Sequence, residues 1–413
     1  MFIHRAALIG AACLLHAVTA VAGSSSLSDA ARSLWDGNPD IQAARAELDA
    51  ARARARAASQ PVYNPSIALD AENADVNRRT VGLGLSLDLS GKRQARTGQG
   101  LAELEESQAT YDLLRRDIAA RWLKASSSST LATQQRELGQ RRVALMQRFD
   151  SLAVQRLKVG DISSTERDLA GLALGEAQIQ LATLQANEAS AHAALLALLG
   201  DTSLQSAVLG AGLPPASATV TPLPIDRRPE LLRARAAQAS ADAGIQVAQR
   251  ARRPDPVLSL TGGQVRTGPR NDRVIGLSVS IPLPVLNTGR AEIDAARASA
   301  DAAASGVRAS QWSSRALLRE SQLRYDALLD AAHAFGQGRA AAFDERVALL
   351  EKLWRAGEIG TSDYLVQLKQ SVDTALSALE LHDQVWQAWF DYLRAAGRLT
   401  DWIDGRTEDS HHE

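Results

Sequence analysis

Glu166 and Asp363 are two carboxylates whose placement repeats. Each lies six residues after a glycine, and the two glycines, Gly160 and Gly357, are 197 positions apart. The surrounding letters repeat with them: Val-Gly-Asp-Ile-Ser-Ser-Thr-Glu over 159–166 and Ala-Gly-Glu-Ile-Gly-Thr-Ser-Asp over 356–363. Acids at a helix start complement the positive end of its dipole. The other residues able to do chemistry do not converge. His382 falls on an apolar helical seam and reads as a packed side chain. His192 and His333 have no partner at ligand spacing, and His411 and His412 sit in a polar tail. The one cysteine, Cys13, lies in an N-terminal apolar run. No group of His, Cys and carboxylates has metal-ligand spacing. No G-x-S-x-G, P-loop or zinc-binding helix motif is present. The expectation is a protein with no catalytic residue, no metal site and no cofactor.

The elements that carry the two motifs are long helices. Alanine dominates the 45% hydrophobic residues, and aromatics are only 4%. With abundant Arg, Gln and Glu, this composition suits helices packed closely side by side. A net charge of -1 gives no field directed at nucleic acid, so no nucleic-acid partner is expected. Residues 1–22 read as a secretory signal: His4 and Arg5, an apolar run, then Ala20-Val21-Ala22 as the cleavage site. A retained anchor and lipidation at Cys13 are the alternatives. Cleavage after Ala22 leaves a mature chain without thiol chemistry. No other segment approaches 18 apolar residues, so no membrane-spanning helix is expected.

In chain order, Ser28 or Asp29 caps a first helix that runs to about residue 60, with a break near Gly37-Asn38-Pro39. Pro61 and the pair Asn64-Pro65 stop it. The pattern then changes to period two. A first β-hairpin is expected over 66–90, with Ile67, Leu69, Leu83, Leu85, Leu87 and Leu89 on one face and a polar loop at 74–79. A helix of about 65 residues follows, ~100 Å long at the usual rise. Gly139 and the serines at 126–129 are its soft points. After the break at Gly160, an outgoing helix over about 164–199 sets Leu174, Ala177, Leu181, Leu184, Leu195 and Leu198 on one seam, with Glu188 the polar exception.

The second half repeats this order after a Pro/Gly-rich linker at 201–226. A helix leads to a hairpin over 257–283. There Leu258, Leu260, Ile275, Leu277, Val279 and Ile281 share a face, and the loop is expected at 264–272. A helix of about 65 residues spans 290–355 at the usual loop and helix lengths. Gly357 breaks it, and a last helix runs to 399 with a 3/4 seam through Leu368, Val372, His382, Trp386, Trp389 and Leu393. Residues 401–413 form a polar tail. The chain is thus two repeats, 23–200 and 227–400. Four strands cannot close a barrel, and an exported chain must pair their open edges. Three or four copies would close one, with the apolar positions facing lipid and Gly, Ser and Asp facing a lumen. A soluble periplasmic coiled-coil stalk is the alternative class, and it leaves the two patterned hairpins unexplained.

The order of these motifs resembles the TolC-like outer membrane factor family. The carrying residues are the two glycine tips, Asn64-Pro65, Leu-Asp-Leu-Ser-Gly-Lys-Arg at 87–93, Ile-Pro-Leu-Pro-Val-Leu-Asn-Thr-Gly-Arg at 281–290 and Leu-Leu-Ala-Leu-Leu-Gly at 195–200. The 87–93 and 282–290 segments are most similar to the cobalt-zinc-cadmium branch of heavy-metal cation efflux. The resemblance implies a mainly α fold with a membrane β-barrel part. Three copies would form a twelve-stranded barrel, with long helical hairpins making a periplasmic tunnel. It implies a passive exit duct in the outer membrane of a Gram-negative bacterium, docked to a periplasmic adaptor (membrane fusion protein) and an inner-membrane pump of the resistance-nodulation-division type. Ducts for drug efflux and type I secretion belong to the same family.

Within that resemblance Gly160 and Gly357 are the periplasmic tips, with Arg156, Lys158 and Arg355 as adaptor contacts. Asp363 and Glu166 would form acidic rings at the gate, holding cations and opposing anions. The family's deeper acidic position falls on Val366. The strands also lack a Trp or Tyr girdle; only Tyr63, at a strand base, is placed as an interface anchor.

Overall fold

A computed structural model of the chain describes residues 22–199, 212–337 and 343–406. The signal segment with Cys13, the first part of the 201–226 linker, and His411 and His412 lie outside the described residues. The elements run α1 (Ala22–Gly37), α2 (Pro39–Ala58), β1 (Ser66–Asn73), β2 (Val76–Ser86), α3 (Lys92–Lys158), α4 (Ser164–Leu199), α5 (Pro229–Ala251), β3 (Val257–Thr267), β4 (Arg270–Ser280), α6 (Arg290–Gln337), α7 (Phe343–Arg355), α8 (Thr361–Ala396) and α9 (Leu399–Ile403). The first helix is already formed at Ala22, before the expected cap. Asn38 instead caps α2: its side chain accepts from the Ile41 amide, and Pro39 takes the first helical position. The helix expected over 290–355 is described as α6 and α7; residues 338–342 between them lie outside the described residues.

The four strands form one antiparallel sheet in the order β1-β2-β3-β4, leaving β1 and β4 as edges. The pairing stacks the apolar positions into rows. Ile67, Leu83, Leu260 and Leu277 are consecutive partners across all four strands. Leu69, Val81, Gly262 and Ile275 make a second row, and Leu85, Leu258 and Val279 a third. The apolar residues of these rows are exposed, Ile275 at 85%. The opposite face is small: Ser66, Gly84, Ser259 and Ser278 form one row, Ala68, Gly82, Thr261 and Gly276 the next.

Three expected strand residues fall off the sheet. β2 ends at Ser86, so Leu87 and Leu89 are not strand positions. The Asp88 carboxylate accepts from the Lys92 and Arg93 amides at 2.8 and 2.7 Å, which draws the chain into the start of α3. β4 ends at Ser280, so Ile281 also lies beyond the ladder, where Pro282 and Pro284 lack the donor a strand needs. Both loops are shorter than expected. Val76 and Thr267 already pair, and Gly268, with φ of 59°, begins the two-residue turn into Arg270.

α3 carries 67 residues without a break, so the soft points have another meaning. A Cβ on Gly139 would sit 2.8 Å from a Leu184 methyl, so the glycine lets α4 approach closely. Ser126, Ser127 and Ser129 are buried among neighbouring helices: Ser127 bonds Asp383 of α8, and Ser129 Oγ meets His192 Nδ1 of α4 at 2.9 Å. Glu188 takes Arg136 at 2.8 Å, which accounts for the polar break in the α4 seam. His382 lies on the α8 seam as expected, its Nε2 buried without a partner among the described residues.

Two cores hold the helices. One, at mid-length, gathers Trp122, Tyr325, Trp386, Trp389, Phe390 and Tyr392. The described part of the linker is strapped across it. Tyr325 donates to the Pro215 carbonyl, Tyr392 to those of Ser217 and Val220, and the Leu223 amide to Ala396. The expected polar tail begins inside this core: Ile403 is fully buried, and Trp402 packs on Trp386 and Phe390. The second core lies where the hairpins turn.

Candidate functional site at the helix-hairpin tips

The two tips share one backbone solution. Gly160 has φ of 82° and Gly357 φ of 78°, a left-handed conformation that glycine adopts without a Cβ clash. At the first tip the Gly160 amide donates to Leu157 and the Asp161 amide to Arg156; at the second, Gly357 donates to Trp354 and Glu358 to Leu353. Both are the paired closure of a Schellman turn, which satisfies the last carbonyls of the incoming helix.

The outgoing helices begin differently. At the first tip Ser163 and Glu166 form a capping box. The Ser163 amide and hydroxyl donate to the Glu166 carboxylate at 2.9 and 3.0 Å, and the Glu166 amide donates to Ser163 Oγ at 3.2 Å. The bond from the Ser163 amide, then that from its hydroxyl, holds the Glu166 carboxyl below its ordinary range, with Thr361 of the second tip a smaller contributor. Glu166 is therefore a helix-cap acid, and its carboxylate is occupied within the tip. The corresponding residue of α8 is Gly360, which has no side chain to cap with. Asp363 is exposed there, with Gly360 beside its Oδ2.

The tips are locked together beneath their turns. Phe149 of α3, Trp354 of α7 and Tyr364 of α8 form a buried aromatic trio with centroids 4.6, 4.9 and 5.4 Å apart. Burial pushes the Tyr364 hydroxyl up to about 12. Arg156, expected at the surface, instead reaches across the trio. Its guanidinium stands 4.5 Å over the Trp354 ring and donates to the Arg355 carbonyl at 3.0 Å. A cation–π contact and a carbonyl bond hold a guanidinium inward where bulk solvent would hold a lysine outward. Arg355 pairs with Glu351 one turn earlier, and Lys158 is exposed with no ion pair among the described residues. Lys369 of α8 adds a 2.6 Å ion pair to Glu176 of α4. Val159, the first residue of the repeated motif, projects from the first tip at 73% exposure. The Ser163-x-x-Glu166 spacing is the signal that would have identified the cap. The aromatic trio joins residues more than 200 positions apart and has no local signal.

Among the described residues no group of three or more His, Cys, Asp or Glu could hold a metal ion, and no helix is long and apolar enough to cross a membrane. A four-stranded sheet with one exposed apolar face and two open edges, set on a body of long paired helices, is the architecture of a channel-forming protein. The chain belongs to the outer membrane efflux protein family, which matches residues 31–201 and 223–398. It is a passive channel protein of the outer membrane with a periplasmic extension, not an enzyme. It is similar to the cobalt-zinc-cadmium resistance protein CzcC of Cupriavidus metallidurans, with 29% identity over 289 residues, 67% of either chain. Two solved structures share the fold. A membrane protein from Pseudomonas aeruginosa has a TM-score of 0.74 at 20% identity, over 90% of this chain and 94% of the other. The Campylobacter jejuni CmeC outer membrane channel has a TM-score of 0.73 at 14% identity, over 93% and 89%.

Proposed function

We propose that the chain is the exit duct of a tripartite pump that expels heavy-metal cations. Three copies pair β1 of one with β4 of the next, closing a twelve-stranded barrel above a helical tunnel. The observation that carries this reading is the four-stranded sheet, exposed and apolar on one face, small and polar on the other, with both edges open. Exposed Leu172 and Ile179 on α4 give the helical body an apolar flank for a neighbouring copy. The cation assignment is supported by the similarity to the cobalt-zinc-cadmium resistance protein. The duct performs no chemistry; the pump supplies the energy.

The tips meet the periplasmic adaptor through Lys158, Val159, Gly160, Arg355 and Gly357. Asp363, uncommitted at the start of α8, lines the mouth as a three-fold acidic ring; Glu166, fixed in its cap, does not. Deleting the gene should lower tolerance to zinc, cobalt or cadmium, and the intact gene should restore it. Unchanged metal tolerance with raised drug sensitivity would move the substrate to organic compounds and leave the duct reading in place.

A further inference from the structure

The sheet face that carries the three apolar rows does not end in neutral residues. The register continues it toward the hairpin turns with two polar rows, Ala71-Arg79-Gln264-Arg273 and then Asn73-Asn77-Arg266-Asn271. Arg79, Arg266 and Arg273 are exposed, and none has an ion pair among the described residues. All three carboxylates within the strands, Asp70, Glu72 and Asp272, fall on the opposite face by the same register, and Arg78 lies there opposite Glu72. The apolar face is thus free of acid and carries three arginines per chain, Arg79 and Arg273 set one ladder step (~7 Å) beyond Leu69, Val81 and Ile275, and Arg266 one step further.

We infer that Arg79, Arg266 and Arg273 form a binding surface for phosphate-bearing head groups of the outer membrane's outer leaflet. The inference rests on the duct reading, which puts this face against lipid and the hairpin turns on the outer side. Guanidinium groups bind phosphate bidentately and keep their charge. Their stems extend along the apolar rows while the heads reach the head-group layer. Each cation near an anionic surface contributes on the order of a factor of five in affinity. The arginines stand where an aromatic girdle is missing: the strands contain no Trp or Tyr. Continuity with the apolar rows makes the ligand a lipid rather than free phosphate.

The test uses full-length protein in detergent and hexa-acylated lipid A, compared with the same lipid stripped of both phosphates, with bound lipid read by native mass spectrometry. Wild type and R79K/R266K/R273K should retain the phosphorylated lipid. R79Q/R266Q/R273Q should bind it on the order of a hundredfold more weakly. R78Q/R270Q, altered on the other face, should match wild type, and millimolar inorganic phosphate should not displace the lipid. Equal retention by the triple glutamine variant, equal loss in R78Q/R270Q, or displacement by free phosphate would each overturn the inference. Heat-modifiable membrane insertion is scored for every variant first. Wild type that fails to insert removes the duct reading, and the inference with it; insertion with unchanged lipid retention removes the inference alone.

Discussion

The first and second tips reverse the chain in the same way and start the next helix differently. Both stop on a left-handed glycine with the same pair of closing hydrogen bonds. The first then uses Ser163 and Glu166 to fasten α4 to its turn, while the second has Gly360 and leaves Asp363 free. The reversal belongs to the backbone and is duplicated with it. The side chains just beyond it have diverged, one tip toward fixation and the other toward an exposed acid. The start of α8 is therefore the end we expect to move first when the mouth opens.

The largest effect should come from what the tips share. Trp354→Ala empties the centre of the aromatic trio and removes the seat of Arg156; truncating a buried Trp costs about 3–5 kcal/mol. The thermal unfolding midpoint of the full-length protein should fall, with fast hydrogen exchange spreading through α7 and the start of α8. Arg156→Ala should be smaller, about 1–2 kcal/mol for a cation–π contact and its carbonyl bond. It should also raise channel open probability. Lys158→Ala, two residues on and solvent-exposed, should leave both readouts unchanged; equal effects would mean that Arg156 does not tie the tips.

Two smaller changes exchange the characters of the tips. Ser163→Ala removes the first cap, worth about 1 kcal/mol, and should make exchange at the start of α4 resemble that of α8. Gly360→Ser supplies a hydroxyl four positions before Tyr364 and three before Asp363, completing a box and slowing exchange at the start of α8 by about 0.5 kcal/mol. The cap also carries a pH signature. The Glu166 carboxyl is held below its ordinary value of 4.5, so its contribution is complete above that pH and is lost as pH falls through the depressed value. Protection of the first turn of α4 should fall only in acid, and Glu166→Gln should abolish that dependence.

Much of this architecture was legible from local pattern. Period-two alternation located both hairpins, and the repeated glycines located both tips, because turns and faces are set by neighbouring residues. The misplaced residues have two causes, one local and one long-range. Leu87, Leu89 and Ile281 continue the alternation in letters, but Asp88 caps α3 and Pro282 cannot pair, so the ladders stop earlier. Arg156 reads as a surface cation until Trp354, from the other repeat, is placed beneath it. The strap that takes hydrogen bonds from Tyr325 and Tyr392 has no periodicity at all. Contacts distant in sequence decide Arg156 and the strap, and no local window contains them.

On the proposed reading, copies of this chain close into a cation-conducting duct whose mouth carries Asp363. Single-channel recording of the purified full-length protein in planar bilayers tests it most directly. Trimers should give discrete conductance, blocked by divalent cations from the tip side, with the block weakened in Asp363→Ala and retained in Glu166→Gln. No conductance from inserted protein would contradict the duct, and identical block in both variants would contradict the acidic ring.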